Sequence, residues 1–177
     1  MARVAIFVDG GYLDKVLEHH GRIRVDYARL SDAMAGQADE RVRTYYYHCP
    51  PWQPAIATPQ DSARLAGYQK FAYRLNSLSR FEVREGRLQK IGDRFQQKGV
   101  DIQLAVDLLT LAFTKGIEKA ILVTGDSDFV PVVNAVKASG VTVALHYAPQ
   151  LPTHQSLRLA VDERVPITLG LLQACRR

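Results

Sequence analysis

Two short apolar runs, each ending on carboxylates, constrain this chain more than any other feature in it. Val4-Ala5-Ile6-Phe7-Val8 leads into Asp9-Gly10-Gly11, and Ala120-Ile121-Leu122-Val123 leads into Thr124-Gly125-Asp126-Ser127-Asp128. Continuous apolar runs of this length suit strands buried on both faces, as in a parallel sheet covered by helices. Ligands of such open sheets bind in the crevice beyond the carboxyl ends of the strands, where both acidic turns would fall. Carboxylates gathered there repel one another. Two of them about 4 Å apart cost roughly 4 kcal/mol at an effective dielectric near 20. Proton sharing or a divalent cation relieves that charge.

The remaining segments alternate in the same sense. Residues 12–19 carry Leu13, Val16 and Leu17 at helical spacing, and residues 25–35 read as a second helix capped by Asp26. Val42 to His48 is β-type, and Pro50, Pro51, Pro54 and Pro59 make Cys49 to Gln60 a loop. A long amphipathic helix is expected from Asp61 to Leu78, with Asp61 near its N-cap. Phe81–Arg84 and Arg87–Ile91 flank Glu85-Gly86 and read as a hairpin, or as one strand and its continuation. A helix capped by Asp101 follows to Thr114. Then come a strand Ala120–Thr124, a helix Phe129–Ser139, a strand Val141–His146 and, after Pro149, two short helical pieces at His154–Val161 and Pro166–Ala174. This order predicts an α/β fold with right-handed crossovers and the first strand beside the Ala120 strand in mid-sheet. The chain reads as one domain over residues 1–148, with a helical extension over residues 149–177 packed on it.

Composition excludes several classes. No apolar run approaches the roughly 18 residues of a membrane helix. The N-terminus enters a strand directly, without the apolar segment and cleavage site of a secretory leader. Cys49 and Cys175 form neither a disulfide framework nor a ligand pair, so a reducing cytoplasm is expected. The net charge of +5 permits a polyanionic partner such as nucleic acid.

Each acid has a local alternative. Asp9 is either a turn residue before two glycines or a site acid. Asp126 and Asp128 flank Ser127 and can aim at one point, while Asp128 can also cap the next helix. Asp101 is a cap or a site acid. Asp107 shares a stripe with Gln103, Thr110 and Thr114, which reads as a solvated helix face. Oxygen donors suit magnesium or manganese, and such a site can activate water for phosphodiester hydrolysis. His19, His20, His48, His146 and His154 are too scattered to suggest zinc. No nucleophile elbow or Walker-type loop is present. Arg64, Lys70, Arg74, Arg80, Arg84, Arg87, Lys90 and Arg94 interleave with Tyr68, Phe71, Tyr73 and Phe81. Charge with aromatics suits single-stranded nucleic acid, with Arg74, Arg84, Arg87 and Lys90 as candidate contacts. The alternative is a solvated helix face with the aromatics in the core.

Three ordered motifs carry a family resemblance. Val4-Ala-Ile-Phe-Val-Asp-Gly-Gly11, Lys98-Gly-Val-Asp-Ile-Gln-Leu-Ala-Val-Asp107 and Ile121-Leu-Val-Thr-Gly-Asp-Ser-Asp-Phe-Val-Pro131 resemble the NYN domain, in the LabA/DUF88-like branch of the PIN-like nucleases. The resemblance runs from Val4 to about Tyr147. It implies a Rossmann-like (PIN-like) three-layer α/β/α fold and a ribonuclease dependent on Mg²⁺ or Mn²⁺. Carried over by motif, Asp9, Asp101, Asp126 and Asp128 would be the catalytic, metal-holding acids. Asp107 matches a further family acid, Thr124 and Ser127 would shape the loop, and Lys98 would contact a phosphate. Tyr12 stands where many relatives carry Asn. The expected partner is RNA, single-stranded, with no membrane. Leu169, Leu171 and Leu172 suit packing on the domain or on a second copy. Two rivals stand beside this reading. One is a catalytically weak module of the same fold that binds RNA or protein. The other is a haloacid-dehalogenase-type phosphatase, which needs a second acid where Gly11 stands.

Overall fold

The computed structural model describes residues 1–92 and 94–177, and in it strands and helices alternate. Strand β1 (Arg3–Asp9) is followed by helices α1 (Gly10–His19) and α2 (Tyr27–Ala35) and by strand β2 (Glu40–His48). Helix α3 (Pro59–Asn76) leads to strands β3 (Phe81–Glu85), β4 (Arg87–Ile91) and β5 (Arg94–Lys98), then to helix α4 (Val100–Phe113). Next come β6 (Lys119–Val123), α5 (Val130–Ala138), β7 (Thr142–Tyr147), α6 (Gln155–Ala160), β8 (Glu163–Pro166) and α7 (Leu169–Ala174). Six strands form one sheet in the order β3-β2-β1-β6-β7-β8, and every neighbouring pair is parallel. The fold is a three-layer α/β/α sandwich of the PIN-like, Rossmann type.

Alternation along the central strands supplies both cores. Val4, Ile6 and Val8 face α1, α2, α3 and α7, where Leu13, Val16, Leu30, Met34, Leu75 and Leu172 meet them. Ala5 and Phe7 face the other way, onto Leu104 and Leu108 of α4, Val133 and Val136 of α5 and Leu157 of α6. Strands β1 and β6 are buried on both sides, which explains their unbroken apolar sequence.

Four local expectations need correction. Helix α3 starts at Pro59, two residues before Asp61, with Thr58 as its cap. Pro59 sets the first turn, and Asp61 closes a reciprocal capping box with Thr58. Helix α4 starts at Gly99, whose φ of +89° is a left-handed conformation that glycine adopts freely, so Asp101 lies inside the first turn and caps nothing. No hairpin turns at Glu85-Gly86. Strand β3 is the edge of the main sheet, and β4 pairs antiparallel with β5, a strand whose polar sequence hid it. The tail after Pro149 also holds β8, which extends the sheet beside β7.

Candidate functional site

The sheet order reverses between β1 and β6. The chain moves outward through β2 and β3 on one side and through β7 and β8 on the other. Their carboxyl ends therefore open the crevice that such a switch point creates. Asp9 closes β1, and Thr124-Gly125-Asp126 leaves β6 beside it. Thr124, fully buried, bridges the two: its hydroxyl donates to Asp9 Oδ2 at 3.3 Å and accepts from the Asp126 backbone N–H at 3.3 Å. The other Asp9 oxygen accepts from the Tyr12 N–H at 3.1 Å, capping α1. Asp126 caps the short turn that follows by accepting from the Asp128 N–H at 2.9 Å, so Asp128 is not the cap.

Two glycines let these segments approach. A Cβ on Gly10 would lie 2.7 Å from the Tyr47 carbonyl oxygen and 2.6 Å from the His48 ring. One on Gly125 would lie 2.8 Å from the Pro152 carbonyl oxygen and 2.9 Å from the Tyr12 ring.

Electrostatics ties the acids together. Burial pushes the Asp9 carboxyl above the usual range, against the pull of the Tyr12 and Thr124 hydrogen bonds and of Lys15. The Asp101 carboxyl is also raised, by burial and then by the charges of Asp9, Asp126 and Asp128. Residues from three distant parts of the chain thus act on one another at one sheet edge.

A cleft of about 380 Å³ opens there, lined by Asp9, Gly11, Tyr12, Lys15, Gly125, Asp126, Pro152 and His154. A larger groove of about 450 Å³ lies elsewhere, among Tyr27, Phe71, Leu75 and Leu78. It sits by the end of α3 that returns to the amino edge of the sheet, away from the acids.

The NYN domain family model matches residues 3–168. This chain belongs to the NYN domain family. A solved protein of unknown function from Vibrio parahaemolyticus is similar over 95% of this chain and 94% of its own, with a TM-score of 0.69 and 24% identity. That likeness shows the shared fold. A solved chain from Parabacteroides merdae aligns with a TM-score of 0.31 and 13% identity over 98% of this chain and 28% of its own, too loosely to carry an argument. None of the curated proteins matches. NYN domains are generally nucleases, so membership supports a nuclease-like, RNA-related function at that coarse level. Among the described residues no helix is long and apolar enough to cross a membrane.

Within this NYN domain the other candidate residues separate. Asp107 lies six residues beyond Asp101 on α4, about 9 Å along the helix at its usual rise. It accepts from the Tyr47 hydroxyl at 2.9 Å and from Arg84 Nε at 3.1 Å, so it is a half-buried brace and not a solvated stripe. Arg84 also pairs with Glu82 at 2.7 Å and lies over the Tyr45 ring. Arg74 sits near the C-terminal end of α3, toward the amino edge. Arg87, Lys90 and Lys98 lie on the β4–β5 pair, with Arg87 opposite Lys98. Ser127 begins the turn after Asp126. Phe81 is buried, and Phe71 packs against the core.

Sequence reasoning missed Lys15 and His154, the two nitrogen-bearing side chains lining the cleft. Lys15 was legible, since it falls four residues after Gly11 on the same face of α1. His154 was not, because the tail is folded over the site by tertiary bonds: the His154 N–H donates to the Gly125 carbonyl at 3.2 Å. Tyr12 anchors the same tail. Its hydroxyl accepts from the Ala148 N–H at 3.0 Å and shares a 3.2 Å hydrogen bond with Thr153.

The donor set is all oxygen, which fits a hard divalent cation. Among the described residues no three His, Cys, Asp or Glu side chains stand close enough to enclose an ion. Magnesium is commonly held by one or two carboxylates and keeps several waters, so an open acidic edge meets its demands.

Proposed function

We propose that this NYN domain is a metal-dependent ribonuclease acting on single-stranded RNA in the cytoplasm. The observation that carries the reading is the meeting of Asp9 and Asp126 at the switch point, bridged by Thr124, with Asp101 within reach of their charge. Asp9, Asp101, Asp126 and Asp128 would hold Mg²⁺ or Mn²⁺. Such a cation polarises a phosphoryl oxygen and lowers the pKa of water, which phosphodiester hydrolysis needs.

The chain's own groups do the rest. Asp9 and Asp126 are preset by their backbone and Thr124 hydrogen bonds, so little reorganisation is left for the reaction. Lys15 and His154 line the same cleft and would contact the phosphate there. Tyr12 positions the tail that carries His154.

Incubation with a labelled single-stranded oligoribonucleotide in Mn²⁺, Mg²⁺ or EDTA tests this reading. Metal-dependent cleavage, lost with Asp126→Asn in a folded protein, is the expected result. Binding without cleavage in either metal would replace the ribonuclease by a binding module.

A further inference from the structure

The β4–β5 pair forms a second, two-stranded sheet apart from the main one, and its chemistry is distinctive. Residues 87–98 carry four basic residues, Arg87, Lys90, Arg94 and Lys98, against one acid. Phe95 is 54% exposed, and its ring lies 5.6 Å from the ring of Trp52, centroid to centroid. Lys90, directly opposite Phe95 in the ladder, places its ammonium 5.4 Å over the Trp52 ring. Trp52 is held in a proline-rich loop, and Gln53 ties that loop to α3 by donating to the Asp61 carbonyl at 3.1 Å. An exposed phenylalanine beside a half-buried tryptophan on a stiff support leaves apolar surface in water that a ligand can cover.

Its place matters as much as its composition. The strands rise from the carboxyl end of β3, and β5 enters α4 at Gly99, two residues before Asp101. The root is clamped there: a Cβ on Gly86 would lie 2.7 Å from the Lys98 carbonyl oxygen and 3.0 Å from Cys49 Sγ. The pair therefore stands on the acidic edge. Directly opposed residues share a face, so Arg87 and Lys98 form one basic row with Arg94, and Lys90 and Phe95 face Trp52.

We infer that Trp52, Phe95 and Lys90 form a stacking clamp for single-stranded RNA flanking the acidic centre. Bases lie against the two rings, Lys90 meets the adjoining phosphate, and the Arg87–Arg94–Lys98 row draws the backbone in. Duplex RNA cannot use the clamp, because its bases are stacked on each other. This inference rests on the ribonuclease reading for its substrate class, and its test does not depend on cleavage.

Trp52 is the chain's single tryptophan, so its emission reports the clamp directly. The wild-type protein is titrated with a 12-nucleotide oligoadenylate in EDTA, following Trp52 fluorescence and the anisotropy of a labelled strand together. The expected result is quenching along the same isotherm as the anisotropy. Phe95→Ala, checked for an unchanged thermal melt, weakens binding by about tenfold. Arg87→Glu with Lys98→Glu lowers the slope of log affinity against log salt by about 2. Anisotropy that rises with Trp52 emission and Phe95→Ala affinity unchanged overturns the clamp, as does equal quenching by a duplex. Quenching without cleavage in Mn²⁺ leaves the clamp standing and removes the ribonuclease reading. Cleavage without quenching does the reverse.

Discussion

Thr124 is the smallest group on which the acidic edge depends. One hydroxyl donates to Asp9 and accepts from the Asp126 N–H, so a single atom sets the spacing between two strands' terminal acids. Valine has the same shape without the hydroxyl. Thr124→Val is expected to cost about 1–2 kcal/mol of stability, because the half-buried Asp126 N–H and the Asp9 carboxylate each lose a partner. It should also slow RNA cleavage by about tenfold or more through a loosened Asp126, while Thr124→Ser stays near wild type. Urea denaturation and a cleavage rate check both, and a valine variant equal to wild type in each would remove the bridge from the account. Tyr12 shows the opposite lesson. Its position draws attention as a departure from the family pattern, yet the side chain is buried and serves the tail through Ala148 and Thr153.

At the scale of elements, the central strands were legible because burial on both faces leaves little freedom in their composition. Asp9 and Asp126 were legible with them, since Asp9 ends one such strand and Asp126 stands in the turn just past the other. What stayed hidden were elements made by partners instead of pattern. Strand β5 is polar and half supported by β4. Strand β8 has four residues and gains its place from β7. The cap of α3 went to Thr58 because Pro59 suits the first helical turn, a local signal that the more conspicuous Asp61 obscured. Asp107 illustrates a limit of spacing arguments. Its stripe on α4 suggests solvent, and Gln103, Thr110 and Thr114 are exposed, but Asp107 turns to β2 and β3, where Tyr47 and Arg84 use the carboxylate to hold α4 against the sheet. Asp107 thereby fixes the height of α4, and with it the position of Asp101 about one and two-thirds turns earlier.

The whole molecule carries a pH signature away from the acids. His146 on β7 is buried, and among the described residues its Nδ1 has no hydrogen-bond partner. Burial, and then the charge of Lys119 against the opposing pull of Glu163, lowers its pKa from 6.5 to about 4. The unfolded chain therefore takes up a proton between pH 6.5 and 4 that the folded chain refuses, so stability falls as pH falls through that window. The loss approaches about 3 kcal/mol once both states are protonated. His48 acts in the opposite sense. Burial lowers its pKa, but Asp14 outweighs that and raises it, so its contribution is present at low pH and fades as pH rises. Comparing wild type with His146→Leu isolates the first effect. Between pH 7 and 4.5 the wild type should lose about 2–3 kcal/mol more than the variant, read from denaturation midpoints. Equal losses would show that His146 protonates freely in the folded state.

The claim that joins these scales is that the switch-point acids form a hydrolytic centre and that Asp107 stands outside it. The most direct measurement is the Mn²⁺-dependent cleavage rate of one single-stranded oligoribonucleotide by Asp101→Asn and Asp107→Asn, side by side. A loss of about 100-fold or more is expected for Asp101→Asn. Asp107→Asn, whose amide oxygen still accepts from Tyr47, is expected to remain close to wild type. A silent Asp101→Asn, or an inactive but fully folded Asp107→Asn, would contradict this assignment.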